Sequence, residues 1–211
     1  MNDRRLIIAV RIPNRISPAT MNLLCRRDKT LVPWQDCFMH QLLLLRHAKS
    51  SWDDPKLPDR DRPLNKRGRR SIAAMRHAMQ QLGLAPDLIL VSTARRTQET
   101  LATLEPWDET PLVEPLESLY LASTQQLLSV LRQTNETVRS AMLIGHNPGM
   151  HDLAMLLTGA RESEQSRRLK EQFPTGALAE FAIGGTWASL DAGGGQLVRF
   201  LTPRDLPESA D

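Results

Sequence analysis

Two arginines and two histidines are spaced along this chain in a way that could do phosphoryl chemistry. Arg46-His47 follows the apolar run Leu42-Leu43-Leu44-Leu45, Arg96 sits in the polar stretch from Ser92 to Thr100, and His146 follows Leu143-Ile144-Gly145 and precedes Asn147-Pro148-Gly149. Each group stands at or just past the end of an apolar, strand-like run. In an open α/β sheet such strand ends converge on one crevice. Guanidinium groups hold phosphoryl oxygens with paired donors, and a neutral imidazole is a nucleophile. Brought together, the four residues would make a phosphoryl pocket with a nucleophile in it.

The elements that must position them alternate. Leu42–Leu45, Leu88–Val91, Leu112–Val113 and Ala141–Ile144 predict short strands. Ile72, Met75, Met79 and Leu82 recur at helical spacing in a helix from about Lys66 to Leu82, capped by Asn65 and stopped by Gly83. Ser92 or Thr93 is expected to cap a helix over 94–105, and Thr124–Gln133 predicts a helix with Leu127, Leu128 and Leu131 inward. Pro148 is placed to open a further helix running to about Leu157. Residues 50–64 form a polar loop, and residues 160–172 predict a solvent-facing helix or loop. Ala177–Ile183, Trp187–Leu190 and Gln196–Leu201 predict strands separated by glycines. The alternation predicts a three-layer α/β/α domain with a mostly parallel central sheet, to which the last strands add antiparallel pairing.

Of the 211 residues, 41% are hydrophobic and only 4% aromatic, so the core must come mainly from Leu, Ala, Ile, Val and Met. No apolar run reaches the roughly 20 residues of a membrane span. Leu6-Ile7-Ile8-Ala9-Val10 is too short for a secretory signal and is interrupted by Arg11, so a cytoplasmic location is expected, with no membrane partner. Residues 1–38 lack sustained periodicity and are expected to be a poorly ordered extension with a short strand at 6–12. They carry seven basic residues against three acidic ones, a net +4, which leaves −1 for the rest of a chain of formal charge +3. The positive charge therefore belongs to the extension, and no nucleic-acid partner is expected for the domain over 39–205. Translation from Met39 is the expectation, an Arg-rich targeting arm the alternative. Cys25 and Cys37 both lie in the extension, where two free thiols are expected in a reducing compartment and a bridge is the alternative. Residues 206–211 are expected to be a frayed tail. No His, Asp and Glu set has metal-ligand spacing, so neither metal nor cofactor is expected. A monomer is the expected state.

Residues 40–205 resemble the histidine phosphatase superfamily, with its phosphoglycerate mutase-like fold, and within it the small phosphohistidine phosphatase branch. The resemblance is carried by Leu45-Arg46-His47-Ala48-Lys49-Ser50, by Arg62-Pro63-Leu64-Asn65-Lys66-Arg67-Gly68, by Ser92 to Thr100 and by Gly145-His146-Asn147-Pro148-Gly149. Ala48 stands where the superfamily has glycine, a change the small branch tolerates. Mutase members carry a phosphate-binding Asn shortly after the histidine; the matching position here is Asp53, which would repel phosphate. That argues against a mutase and for Arg62 as an auxiliary anion contact.

The resemblance implies a metal-independent phosphohydrolase in which His47 attacks phosphorus and water then releases the phosphate. Arg46 and Arg96 would hold the equatorial oxygens, and His146 would donate to another. The family pattern puts the functional arginine fifth in Ser-x-x-x-Arg, which selects Arg96 over Arg95. Arg62, Lys49 and Asn147, the last through its backbone amide, are the expected further substrate contacts. Glu117 occupies roughly the place where larger members carry a proton donor. The short span from Arg96 to His146 leaves little room for a lid, so the expected substrate is phosphohistidine on a protein. A small phosphoester is the alternative substrate, and a phosphate-recognition module without turnover is the non-enzymatic reading.

Overall fold

A computed structural model describes residues 7–8, 24–27, 30–33, 40–107 and 109–207. In the extension, β1 (Ile7–Ile8), β2 (Leu24–Arg27) and β3 (Thr30–Pro33) pair antiparallel in a small sheet of their own. Cys37, Met39 and the tail beyond residue 207 lie outside the described residues.

From residue 40 strand and helix alternate. The elements are β4 (His40–Arg46), α1 (Lys66–Gln81), β5 (Leu88–Ser92), α2 (Arg95–Leu104), β6 (Leu112–Leu116), α3 (Thr124–Arg132), β7 (Ser140–Gly145), α4 (Gly149–Thr158), α5 (Glu164–Glu171), β8 (Leu178–Ile183) and β9 (Gly195–Leu201). The strands form one six-stranded sheet in the order β6-β5-β7-β4-β8-β9. The first four run parallel, while β8 is antiparallel to β4 and β9 to β8. This is the expected mostly parallel sheet with antiparallel C-terminal strands.

Successive side chains of a strand point to opposite faces, and here each face has a helix layer. Leu43, Leu45, Ile89, Val91, Met142 and Ile144 pack with Ile72, Met75 and Met79 of α1 and Leu101 and Leu104 of α2. Leu42, Leu44, Leu88, Leu90 and Leu143 pack on the other face with α3, α4 and α5. The central strands are buried on both faces, which is why they are continuous apolar runs rather than alternating ones. The edge strand β6 is largely exposed.

Asn65 caps α1 by accepting the Gly68 N–H at 2.8 Å. A Cβ on Gly68 would lie 2.2 Å from the Lys49 carbonyl oxygen, so glycine is what lets the first turn of α1 close on the Arg46–Ser50 segment. Gly149 does the same at the start of α4, where a Cβ would lie 2.0 Å from the Ala122 carbonyl.

Three local expectations change. Trp187–Leu190 is a turn, not a strand: the Trp187 side chain is buried and its Nε1–H donates to the Val138 carbonyl at 2.9 Å, while Glu136 accepts the Trp187 and Ala188 amides. Helix α2 is capped by neither Ser92 nor Thr93, its N-cap being Ala94 without a side-chain bond. Those two hydroxyls are engaged elsewhere, Ser92 with His146 and Thr93 with Glu117. Residues 160–172 contain α5, capped by Ser163, and it is not wholly solvent-facing because Leu169 enters the core.

Candidate active site

In the parallel pairing of β4 with β7, Arg46 lies opposite Gly145. The next residue of each strand is a histidine, so His47 and His146 leave the sheet side by side, with ring centroids 5.1 Å apart. Strand β5 pairs with β7 through Val91 and Ile144, which sets Ser92 beside them; one helical turn later comes Arg96. Sheet register thus collects Arg46, His47 and His146 at one end of the strands, and the first turn of α2 adds Arg96.

They line a cleft of about 400 Å³ together with Lys49, Ser50, Trp52, Asp59, Arg62, Leu121, Asn147 and Thr175. Its floor is buried and its rim is not: Trp52 and Leu121 are exposed, and Lys49 is exposed at the mouth. Arg62 is stacked under the Trp52 ring at 3.1 Å from its centroid.

His47 is 8% exposed, and its Nδ1 lies 2.7 Å from the Ala48 carbonyl. A carbonyl only accepts, so the proton is on Nδ1 and the lone pair on Nε2. Burial, with the charges of Arg96 and Arg46, pushes the imidazole down to about 4 against the Ala48 bond, so it is neutral at pH 7. His146 is likewise pushed down to about 3, by burial first and then by His47 and Arg96. Its Nε2 is 2.8 Å from Ser92 Oγ, and its Nδ1 is buried with no partner.

Arg46 donates to the Phe173 carbonyl at 2.8 Å, while its Nε is buried without a partner. Burial and the neighbouring Arg96 lower its basicity. Arg96 is 4% exposed, whereas Arg95 points outward onto Glu99 at 2.8 Å, the division expected of neighbours on one helix. Arg62 is buried and donates to Ser50 Oγ at 2.8 Å, to the Ser51 carbonyl at 2.9 Å and to Asp59 at 3.0 Å. Asn147 reaches the cleft wall, where its side-chain amide donates to the Phe173 carbonyl at 3.0 Å and its Oδ1 is buried without a partner. Buried polar groups without partners are uncommon; three of them here surround one cleft.

Glu117 is not among the cleft residues. It is exposed, bonded to Arg60 and to Thr93, and those bonds hold its carboxyl below the ordinary range. Asp53 is exposed and also outside this cleft. The carboxylate that faces it is Asp59, which sequence reasoning does not single out. The available signal was its spacing, three residues before Arg62 in the same proline-bounded loop. Among the described residues, no group of three His, Cys, Asp or Glu side chains is placed to hold a metal ion. Nor is any helix among them long and apolar enough to cross a membrane.

Residues 42–116 match the histidine phosphatase superfamily (branch 1). An uncharacterized protein of Mycobacterium tuberculosis is 32% identical over 165 residues, which are 76% of this chain and 100% of that protein. Of the solved structures, a candidate phosphohistidine phosphatase SixA from Agrobacterium tumefaciens is 30% identical with a TM-score of 0.67, over 78% of this chain and 98% of that one. Another from Nakamurella multipartitia is 25% identical with a TM-score of 0.69, over 78% and 96%. The architecture is the phosphoglycerate mutase-like fold. With an Arg-His pair, a second arginine and a second histidine gathered at the strand ends, the chain belongs to the histidine phosphatase superfamily and is a phosphatase of it.

Proposed function

We propose that this phosphatase removes phosphate from phosphohistidine on a protein, through a phosphohistidine intermediate on His47 and without a metal ion. The observation that carries the reading is the fixed tautomer of His47. Its Nδ1–H is bound to the Ala48 carbonyl, so Nε2 presents a lone pair in a cleft whose other walls are Arg46, Arg96 and His146.

Phosphoryl transfer asks for positioning and charge stabilisation at the three equatorial oxygens. Arg46 and Arg96 are planar, permanently charged donors suited to that task. Ser92 Oγ accepts the Ala94 N–H at 3.4 Å and pairs with His146 Nε2 at 2.8 Å; in this reading the Ser92 hydroxyl is the donor of that pair. His146 then carries Nδ1–H, a donor that has no protein partner and that a phosphoryl oxygen satisfies without protonation of the ring. Arg62, Lys49 and the backbone amide of Asn147 are further contacts in this reading. The low basicity of His47 keeps it unprotonated at neutral pH, as a nucleophile requires.

The substrate class is supported by the open, exposed rim of Trp52 and Leu121, which leaves room for a protein surface, and by the likeness to candidate phosphohistidine phosphatases. The test is hydrolysis of a phosphohistidine peptide and of 4-nitrophenyl phosphate by the full chain in chelator, beside His47→Ala. Turnover of both, faster on the peptide and abolished by the substitution, is the expected result. A preference for small esters would move the substrate to a metabolite. Phosphate binding with no turnover of either would make the protein a recognition module.

A further inference from the structure

Asp59 is a carboxylate set among the cations of an anion cleft. It opens a 3-10 turn, Asp59–Asp61, in the loop between β4 and α1. Its Oδ1 accepts from Arg62 at 3.0 Å; its Oδ2 accepts from Arg96 at 2.9 Å and from the Tyr120 hydroxyl at 2.9 Å. Its backbone carbonyl accepts a second bond from Arg96. Both imidazoles feel its charge.

The bond to Arg62 alone would be an ordinary loop salt bridge. The bonds from Arg96 are different, because Arg96 is a buried arginine of the phosphoryl site and Asp59 lines the same cleft. A phosphoryl group that enters competes for those donors. It also places a second anion beside the carboxylate, and like charges in one site favour protonation of one of them.

We propose that Asp59, not Glu117, is the proton-transfer residue of the reaction. The proposal rests on His47 being the nucleophile. In the first step the Nε2 lone pair forms the N–P bond. The bond from phosphorus to the departing oxygen or nitrogen breaks, and its electron pair takes the proton of the Asp59 carboxyl. In the second step a water oxygen attacks phosphorus, the P–Nε2 pair returns to the ring, and the water proton goes to the Asp59 carboxylate. The Asp59 carboxylate takes up the proton of the first step from water as the phosphoryl group binds, and gives it back when phosphate leaves, so each residue ends the cycle as it began.

In the resting site burial pushes the Asp59 carboxyl up, but the bonds from Tyr120, Arg96 and Arg62 outweigh it and hold the group below the usual carboxylate range. Transfer of Arg96 to the phosphoryl oxygens removes part of that hold at the moment when a proton is needed. Tyr120 keeps the carboxyl aimed across the cleft, its ring edge-on to His146 at 5.6 Å.

The experiment compares wild type, Asp59→Asn, Asp59→Glu, Glu117→Gln and His47→Gln on aryl phosphates, from 4-nitrophenyl (good leaving group) to phenyl (poor). Asp59→Asn is expected to lower kcat on phenyl phosphate by 10²–10⁴-fold, the usual range for general acid catalysis, and on 4-nitrophenyl phosphate far less. Asp59→Glu, which keeps a proton to give, is expected to restore part of the loss on the poor leaving group. Equal losses on both substrates would make Asp59 a positioning residue for Arg96 and overturn the proposal. Faster turnover would make it a blocking anion, with the same consequence, as would a leaving-group effect confined to Glu117→Gln. Should His47→Gln retain activity, the nucleophile assignment itself fails, which separates the two ideas.

Discussion

His47 is buried as a neutral imidazole, and that has a measurable cost in acid. In the unfolded chain the ring takes its proton near pH 6.5; in the fold it does so only near 4. Between these limits the unfolded state binds more protons, so stability falls as pH falls and is regained above about pH 6.5. At about 1.4 kcal/mol per pH unit, the deficit from this one group at pH 4.5 is about 2.5 kcal/mol. The perturbation that isolates it is His47→Gln, which keeps the volume and an acceptor but cannot titrate. Urea unfolding of both proteins at pH 7.5 and 4.5 gives the comparison. The wild type is expected to lose about 2.5 kcal/mol more than the variant over this span. The same loss in both would mean that His47 protonates in the fold as readily as in water. The cleft would then not desolvate it, and its neutral, nucleophilic state at pH 7 would need another cause.

Arg96→Lys keeps the charge but loses the planar fork, and is expected to lower kcat/KM for 4-nitrophenyl phosphate by about 10²–10³-fold, with an unchanged unfolding midpoint. Gly68→Ala puts a methyl group 2.2 Å from the Lys49 carbonyl. The gain in helix propensity is about 1 kcal/mol, while an overpacked contact with backbone costs about 1–3 kcal/mol or more. Net destabilisation in urea, together with a lower kcat from the displaced Arg46–Ser50 segment, is expected; a variant as stable and active as wild type would show that this close approach does not position the site.

The parts of the fold that could be read from sequence were those with a strong period or a specific end signal. Helix α1 has both, an apolar face of Ile72, Met75 and Met79 and a capping Asn65, and it starts and stops where they predict. The parallel strands were legible because burial on both faces makes them uniformly apolar. Trp187–Leu190 misled because, set off by glycines on both sides, it reads as a strand, whereas a turn holds it through Glu136 and Val138. The start of α2 misled for a different reason. Ser92 and Thr93 are good caps in isolation, but tertiary bonds to His146 and Glu117 compete for their hydroxyls.

The site was legible where it hangs on strand ends, since sheet register brings Arg46, His47 and His146 together without reference to loops. Arg96 needed only a helix with one inward face. Asp59 was not legible, because it sits in the polar loop of residues 50–64, whose path depends on Arg62 reaching back to Ser50 and Ser51. Glu117 was read only from its position along the chain; in the fold it pairs with Arg60 and is not among the residues that line the cleft.

The central claim is that the phosphoryl group passes through Nε2 of His47. Phosphohistidine survives alkali, so the direct measurement is a single turnover on 4-nitrophenyl phosphate, quenched in base and mapped by peptide mass spectrometry. A phosphoryl group on the peptide that contains His47, absent in His47→Gln, is the predicted result. Label on His146 instead, or turnover with no labelled enzyme at any time point, would contradict it.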